Sequence, residues 1–225
     1  MAPDSSTQAV DVTGHAEQAM GQIIGFQTLV LATLSGVVTA LLGYLAIYAM
    51  LASRAMEVLG RHGPQYSIAR DVLPQFSGSI PVWKAVGWLY YNAHWAGVKF
   101  QEVGQQGGNF LNFLAYEGGV YAWLWLLPAA LTVMAGALIA SRAGGQSLRE
   151  SALAGATVTV GYGLVLLAGT AVFAVEVGGV YVSPELTFVA LLGFPAVFGA
   201  LGGIVTGLRH RWENSTELVS HEDRR

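Results

Sequence analysis

Residues 84–99 read KAVGWLYYNAHWAGVK, and the disposition of this stretch decides the fold. Two Trp, two Tyr, an Asn and a His stand between Lys84 and Lys99. On a helical wheel at about 100° per residue, Lys84, Trp88, Asn92, Trp95 and Lys99 share one face. His94 lies on the other side, beside Gly87, Tyr90 and Tyr91. The segment is a membrane span, a helix on the membrane surface, or a working site.

The chain around it is membrane material. Of its 225 residues, 53% are hydrophobic and only 11% charged, and the mean hydropathy is +0.50. A soluble domain carries about 25% charged residues, so an ordinary soluble monomer is excluded. Cysteine is absent, which removes disulfides, thiolate nucleophiles, Cys-held zinc and iron–sulfur clusters. The net charge is −3 and the bases are scattered, so no nucleic-acid partner is expected. The first 22 residues carry Asp4, Asp11 and Glu17 but no Lys or Arg, so no signal peptide is expected.

A bilayer core of about 30 Å needs roughly 20 apolar residues in a helix. Four stretches meet this: about residues 23–52, 120–140, 152–175 and 186–208. Backbone groups in lipid must be satisfied within the segment, which makes these spans helices. The expected fold is all-α: a polytopic membrane helical bundle of four spans plus an aromatic amphipathic helix, about residues 80–99, that is interfacial or a fifth span. An acidic tail over 1–22 precedes a single membrane domain over 23–208, and a charged tail over 209–225 follows. The stretches RAGGQSLR (142–149) and EVGGVYVSPE (176–185) read as turns, and Pro128 and Pro195 as kinks. Gly199, Gly203 and Gly207 recur every fourth residue and form a smooth stripe for close helix packing, inside the bundle or between copies.

Charge sets the sidedness. Lys and Arg favour the cytoplasmic side. Arg142, Arg149, Arg209, Arg211, Arg224 and Arg225 place the 142–149 turn and the C-terminus in the cytoplasm. Arg54, Arg61 and Arg70 pull the end of the first span inward too, which requires a fifth crossing through residues 80–98. Against that crossing, Trp and Tyr favour headgroup depth, terminal lysines snorkel there, and Asn92 and His94 need partners in lipid.

The stretch WKAVGWLYYNAH (83–94), with LLGYLAIY in the first span and Pro128 in the second, resembles an uncharacterised family of small multi-span haloarchaeal membrane proteins. The resemblance covers about residues 30–140. It implies four spans with the aromatic segment on the outer face between the first two, and some members carry a loose transporter label. Those proteins often have bases before the first span, and this chain has none. The polar face and the resemblance together favour a helix packed at the outer boundary over a span.

No catalytic constellation emerges. A haem between helices needs a second buried His beside His94, and His15, His62, His210 and His221 sit in polar settings. No metal-ligand spacing occurs. Ser35–Gly36 and Ser77–Gly78 lack the glycine-flanked motif of intramembrane serine proteases, and GQQGGN (104–109) lacks the lysine of a phosphate cradle. The reading is therefore no enzyme and no cofactor. Lys84, Trp88, Asn92, His94, Trp95 and Lys99 form the candidate functional cluster, with Glu102 and Glu117 nearby. The expected function is a small-solute or ion channel or transporter-like protein of the cell membrane, acting as an oligomer, with His94 as gate. The alternative is a scaffold or accessory subunit that binds lipids or membrane proteins. The uncharged spans count against ion-coupled transport. Gln27, Thr33, Thr39, Thr132 and Thr170 remain to line a neutral path.

Overall fold

The structure is a computed structural model that describes residues 26–61, 78–104, 109–116, 121–144 and 147–222. The 1–22 tail, His15, His62, Arg70, Ser77, Glu117, Arg224, Arg225 and the middle of GQQGGN lie outside the described residues.

Four helical segments are long and apolar enough to cross a membrane: Phe26–Leu51, Trp123–Ala143, Leu148–Val172 and Val189–Glu213. The molecule is a polytopic membrane helical bundle. The first segment is helix α1, Phe26–Leu51, whose 26 residues reach roughly 39 Å. Short helix α2 (Ala55–Arg61) follows, and then α3 (Val82–Asn92). Strands β1 (Gly97–Glu102) and β2 (Asn109–Leu111) lead through one-turn α4 (Phe113–Tyr116) to α5 (Leu126–Ala143). Pro128 falls in the first turn of α5, just after the crossing passes from a 3₁₀ turn, Ala122–Trp125, into α-helix. Gly144 ends α5 with a φ of 65°, a left-handed stop suited to glycine.

Helix α6 (Leu148–Ala156) opens on a capping box: Glu150 N–H donates to Ser147 Oγ, and Ser147 N–H to Glu150 Oε2. A single residue, Thr157, links it to α7 (Val158–Val172), so the two form one crossing. The hairpin of β3 (Val175–Val177) and β4 (Val180–Glu185) comes next. A π turn over Val189–Gly193 feeds α8, Phe194–Glu222, which continues as helix well past the apolar part. Pro195 explains that turn: it has no N–H for the Leu191 carbonyl and its ring crowds that group, so the helix widens there.

Packing fixes the directions. Thr33 of α1 lies on Gly161 of α7 and Tyr44 on Phe173, so α1 and α7 run parallel. Gly136 of α5 meets Gly199 of α8, and Ala137 accepts from Thr206 Oγ1 at 3.2 Å, so these two run parallel as well. Gly155 and Ser151 of α6 meet Gly199 and Gly203, which makes α6 antiparallel to α8. The Phe26 end, the α5–α6 connection and Arg209 therefore share one end of the bundle. Leu51, Tyr121 and Phe173 share the other. A Cβ on Gly161 or Gly199 would overlap the facing backbone, so helix contact at these two positions depends on glycine. Gly203 and Gly207 meet Ser151, so the 199–203–207 stripe is used within the chain.

The strands form one antiparallel sheet, in the order β2-β1-β4-β3, at the Phe173 end. Lys99 pairs with Phe110 on one side and Ser183 on the other. Val98, Phe100, Val180 and Val182 point to the core, while Tyr181 faces out, a two-residue alternation. The sheet corrects two expectations. Residues 176–185 are a paired hairpin rather than a bare turn, and Lys99 stands on a strand rather than at a helix end.

Helix α3 decides between the two alternatives for residues 80–99. Its 11 residues rise roughly 16 Å, about half a bilayer core, so it is not a fifth span. It packs on the bundle, with every residue from Ala85 to Asn92 buried between α1, α7 and the sheet, and it ends earlier than the expected limit of about 99. The wheel assumed an unbroken helix against lipid. The chain instead leaves the helix after Asn92, and Trp88 and Asn92 face protein partners.

Candidate functional site

Helix α3 runs along α7 from its end towards its middle. Lys84 Nζ donates to Ala174 O at 2.6 Å, and Trp88 Nε1 donates to Phe173 O at 2.9 Å. Deeper in, Tyr91 O–H donates to Leu166 O. The α3 chain stops there with a Schellman closure: Ala96 N–H reaches Tyr91 O and Trp95 N–H reaches Asn92 O. That closure puts Trp95 at a φ of 60°, the left-handed region normally given to glycine. Such a backbone costs an ordinary residue about 1–2 kcal/mol. Trp95 is held against Phe194, with ring centroids 5.5 Å apart.

Two polar side chains are locked by this turn. Asn92 is a fully buried staple. Its Nδ2 donates to Ala96 O at 2.9 Å, and its Oδ1 accepts from Phe113 N–H at 2.8 Å. It thus ties the end of α3 to its own turn and to α4. His94, 0% exposed, sits in an aromatic box of Tyr90, Tyr162 and Phe194, with centroids 4.6, 5.6 and 5.0 Å away. Its Nδ1 is 2.7 Å from Tyr90 O and its Nε2 is 2.6 Å from Tyr162 Oη. A carbonyl only accepts, so Nδ1 carries the proton and Nε2 accepts from the Tyr162 hydroxyl. The Tyr90 hydroxyl donates to Ala40 O at 2.9 Å and stands 3.4 Å from Tyr162 Oη. The network joins α1, α3 and α7.

Burial pushes the His94 imidazole down from 6.5 to about 4, against the opposing pull of the Tyr90 carbonyl. It is therefore neutral near pH 7, with both nitrogens engaged. No lone pair is left for a metal or a substrate. Among the described residues, no group of three or more His, Cys, Asp or Glu gathers to hold a metal ion.

The sequence-derived cluster divides accordingly. Asn92, His94 and Trp95 come together at the turn. Lys84 and Trp88 sit higher, on the end of α7. Lys99 lies apart on the sheet, 5.9 Å from the Phe110 ring centroid. Tyr90, which the wheel placed beside His94, belongs to the site, as do Tyr162, Phe173 and Phe194, which the sequence reading did not include. Tyr162 carried a signal: it stands between Gly161 and Gly163 in an otherwise aliphatic part of its span. Outside these polar locks, the walls between α1, α3 and α7 are apolar.

A membrane bundle whose centre is a sealed His–Tyr network defines the class: a polytopic helical membrane protein with a half-depth helix inserted between two spans. The chain belongs to the Family of unknown function (DUF7978), whose model matches residues 18–210. No curated protein and no solved structure matches it.

Proposed function

We propose that the chain is a non-enzymatic multi-pass protein of the cell membrane that acts by binding, as a scaffold or accessory subunit for lipid or protein partners. The observation that carries this reading is the closure of the polar centre, where His94 gives one ring nitrogen to Tyr90 and the other to Tyr162. A gate or relay needs a group that exchanges partners with solute or water. Three of the hydroxyls named for a neutral path are engaged as well. Thr33, Thr132 and Thr170 each donate to a carbonyl of their own helix, at 2.9, 2.7 and 2.8 Å.

In this reading Arg142, Arg149, Arg209 and Arg211 mark the cytoplasmic end, the C-terminus lies there, and the sheet faces outward. The source is haloarchaeal, with WKAVGWLYYNAH as the family's signature. The test is flux. Purified protein in vesicles should pass no potassium, proton or small neutral solute between pH 5 and 8, and measurable flux would overturn the scaffold reading.

A channel or transporter-like oligomer is the second reading. It is favoured by the apolar face of α1, where Leu34, Val38, Leu42 and Leu45 are about half exposed and a second copy could cover them. In that case His94→Ala changes the pH response of the flux.

A further inference from the structure

An apolar groove of about 430 Å³ opens between α1, α3 and α7, lined among others by Ala40, Tyr44, Trp83, Val165, Ala168 and Phe173. We propose that this groove holds one hydrocarbon chain of an anionic membrane lipid, with the lipid's phosphate at Lys84. The proposal rests on the binding function above and names its ligand.

Three features select the occupant. The first is the wall chemistry. Three tyrosines line the groove, and all three hydroxyl protons are already placed: Tyr44 on Trp83 O at 3.0 Å, Tyr90 on Ala40 O at 2.9 Å, and Tyr91 on Leu166 O. A ligand with polar groups in this stretch would lose water and gain no donor. A plain hydrocarbon loses nothing.

The second is size. From Val165 to Phe173 the groove follows eight residues of helix, roughly 12 Å. Spread over that length, the volume gives a mean cross-section of about 36 Å². That admits a single alkyl chain.

The third is charge at the mouth. Trp83 and Phe173 mark the upper end, at the boundary of the α7 crossing. Lys84 Nζ stands 5.3 Å from the Trp83 ring centroid and donates one proton to Ala174 O. An ammonium has three donors, so two remain. Among the described residues no carboxylate forms an ion pair with Lys84. A lysine with no carboxylate partner among the described residues, beside the part-exposed Trp83 at the end of the α7 crossing, complements a lipid phosphate.

Native mass spectrometry of the full chain, exchanged in detergent against equal phosphatidylglycerol and phosphatidylcholine, tests this. The expected result is one retained phosphatidylglycerol per chain, preferred about tenfold. Lys84→Gln should abolish the preference and leave retention. Ala168→Trp and Leu41→Trp, which fill the groove from α7 and from α1, should each abolish retention. Unchanged retention in both Trp variants would overturn the proposal, as would equal retention of the two lipids by the unaltered chain. So would a dimer that Ala168→Trp splits, because the groove would then be an interface between copies. Solute flux in vesicles is a separate readout. It overturns the scaffold reading whatever the lipid result, whereas loss of selective retention without flux overturns the lipid site alone.

Discussion

Tyr162 Oη lies 2.6 Å from His94 Nε2, and this contact closes the centre of the bundle. Tyr162 comes from the first third of α7, near the middle of the Leu148–Val172 crossing, and His94 from the turn that ends α3. The bond therefore fixes how deep the half-length helix sits. With the imidazole neutral the tyrosine is the donor, and protonation of the ring would reverse that direction.

The first prediction concerns pH. The folded pKa of His94 is lowered to about 4 from 6.5. Above pH 6.5 both folded and unfolded chains carry a neutral imidazole, so this residue adds no pH dependence. Between pH 6.5 and 4 only the unfolded chain takes up the proton, and stability falls as pH falls. The full loss is about 3 kcal/mol. Thermal unfolding of the detergent-solubilised protein should show Tm dropping from pH 7 to pH 4, with a shallower slope in His94→Phe. Equal slopes would remove His94 as the origin.

Tyr162→Phe removes the donor and leaves Nε2 buried and unpaired. The expected cost is about 1–3 kcal/mol, the range for an orphaned buried polar group. Denaturation of variant and parent at pH 7 measures it. A neutral result would mean that water or another hydroxyl replaces the bond.

Asn92→Leu keeps the bulk of the staple but loses its bonds to Ala96 and Phe113. The orphaned Phe113 N–H and Ala96 C=O should cost roughly 2–4 kcal/mol together. Limited proteolysis should then cut the β1–α4 region before the four crossings. Cleavage in unchanged order would sink the idea that Asn92 holds this cap down.

Gly199→Leu places a side chain where the backbone of Gly155 and Ala156 already lies. It should lower the yield of folded protein severely, while Leu201→Ala, on the exposed side of the same helix, should change stability by less than about 1 kcal/mol. Size-exclusion profiles compare the two. A folded Gly199→Leu protein would mean that α6 and α8 can separate.

The parallel pairing of α1 with α7 and of α5 with α8 gives an even number of crossings, and the proposed cytoplasmic end at Arg142 and Arg209 sets their sense. The chain has no cysteine, so single cysteines report cleanly. Gly104→Cys should react with an impermeant maleimide from outside, and a cysteine placed ahead of Phe26 should not. Labelling of both from outside would require an odd number of crossings.

Much of the architecture was legible because the bilayer constraint is local. Residues 26–51, uncharged throughout and mostly apolar, can only be a helix there, since each backbone group must find its partner within the segment. The ends of the other three crossings fall within a few residues of their sequence-based limits. The turn at residues 142–149 was equally local, for Gly144 and Ser147 carry its stop and start signals. The site was only half visible. Asn92 and His94 stood out as polar residues in an apolar setting, but their partners, Phe113, Tyr162 and Phe194, lie 19 or more positions away and carry no shared pattern.

Local periodicity and composition thus determined the membrane class, the four crossings and the special standing of residues 84–99. Tertiary structure alone decided that this segment breaks at Trp95 and inserts to half depth. It also decided that Gly97–Glu102, Asn109–Leu111, Val175–Val177 and Val180–Glu185 pair as a sheet, and that His94 is sealed rather than open. The physical reason is that a span satisfies its own backbone, whereas a strand or a buried imidazole is satisfied only by groups that the rest of the fold brings to it.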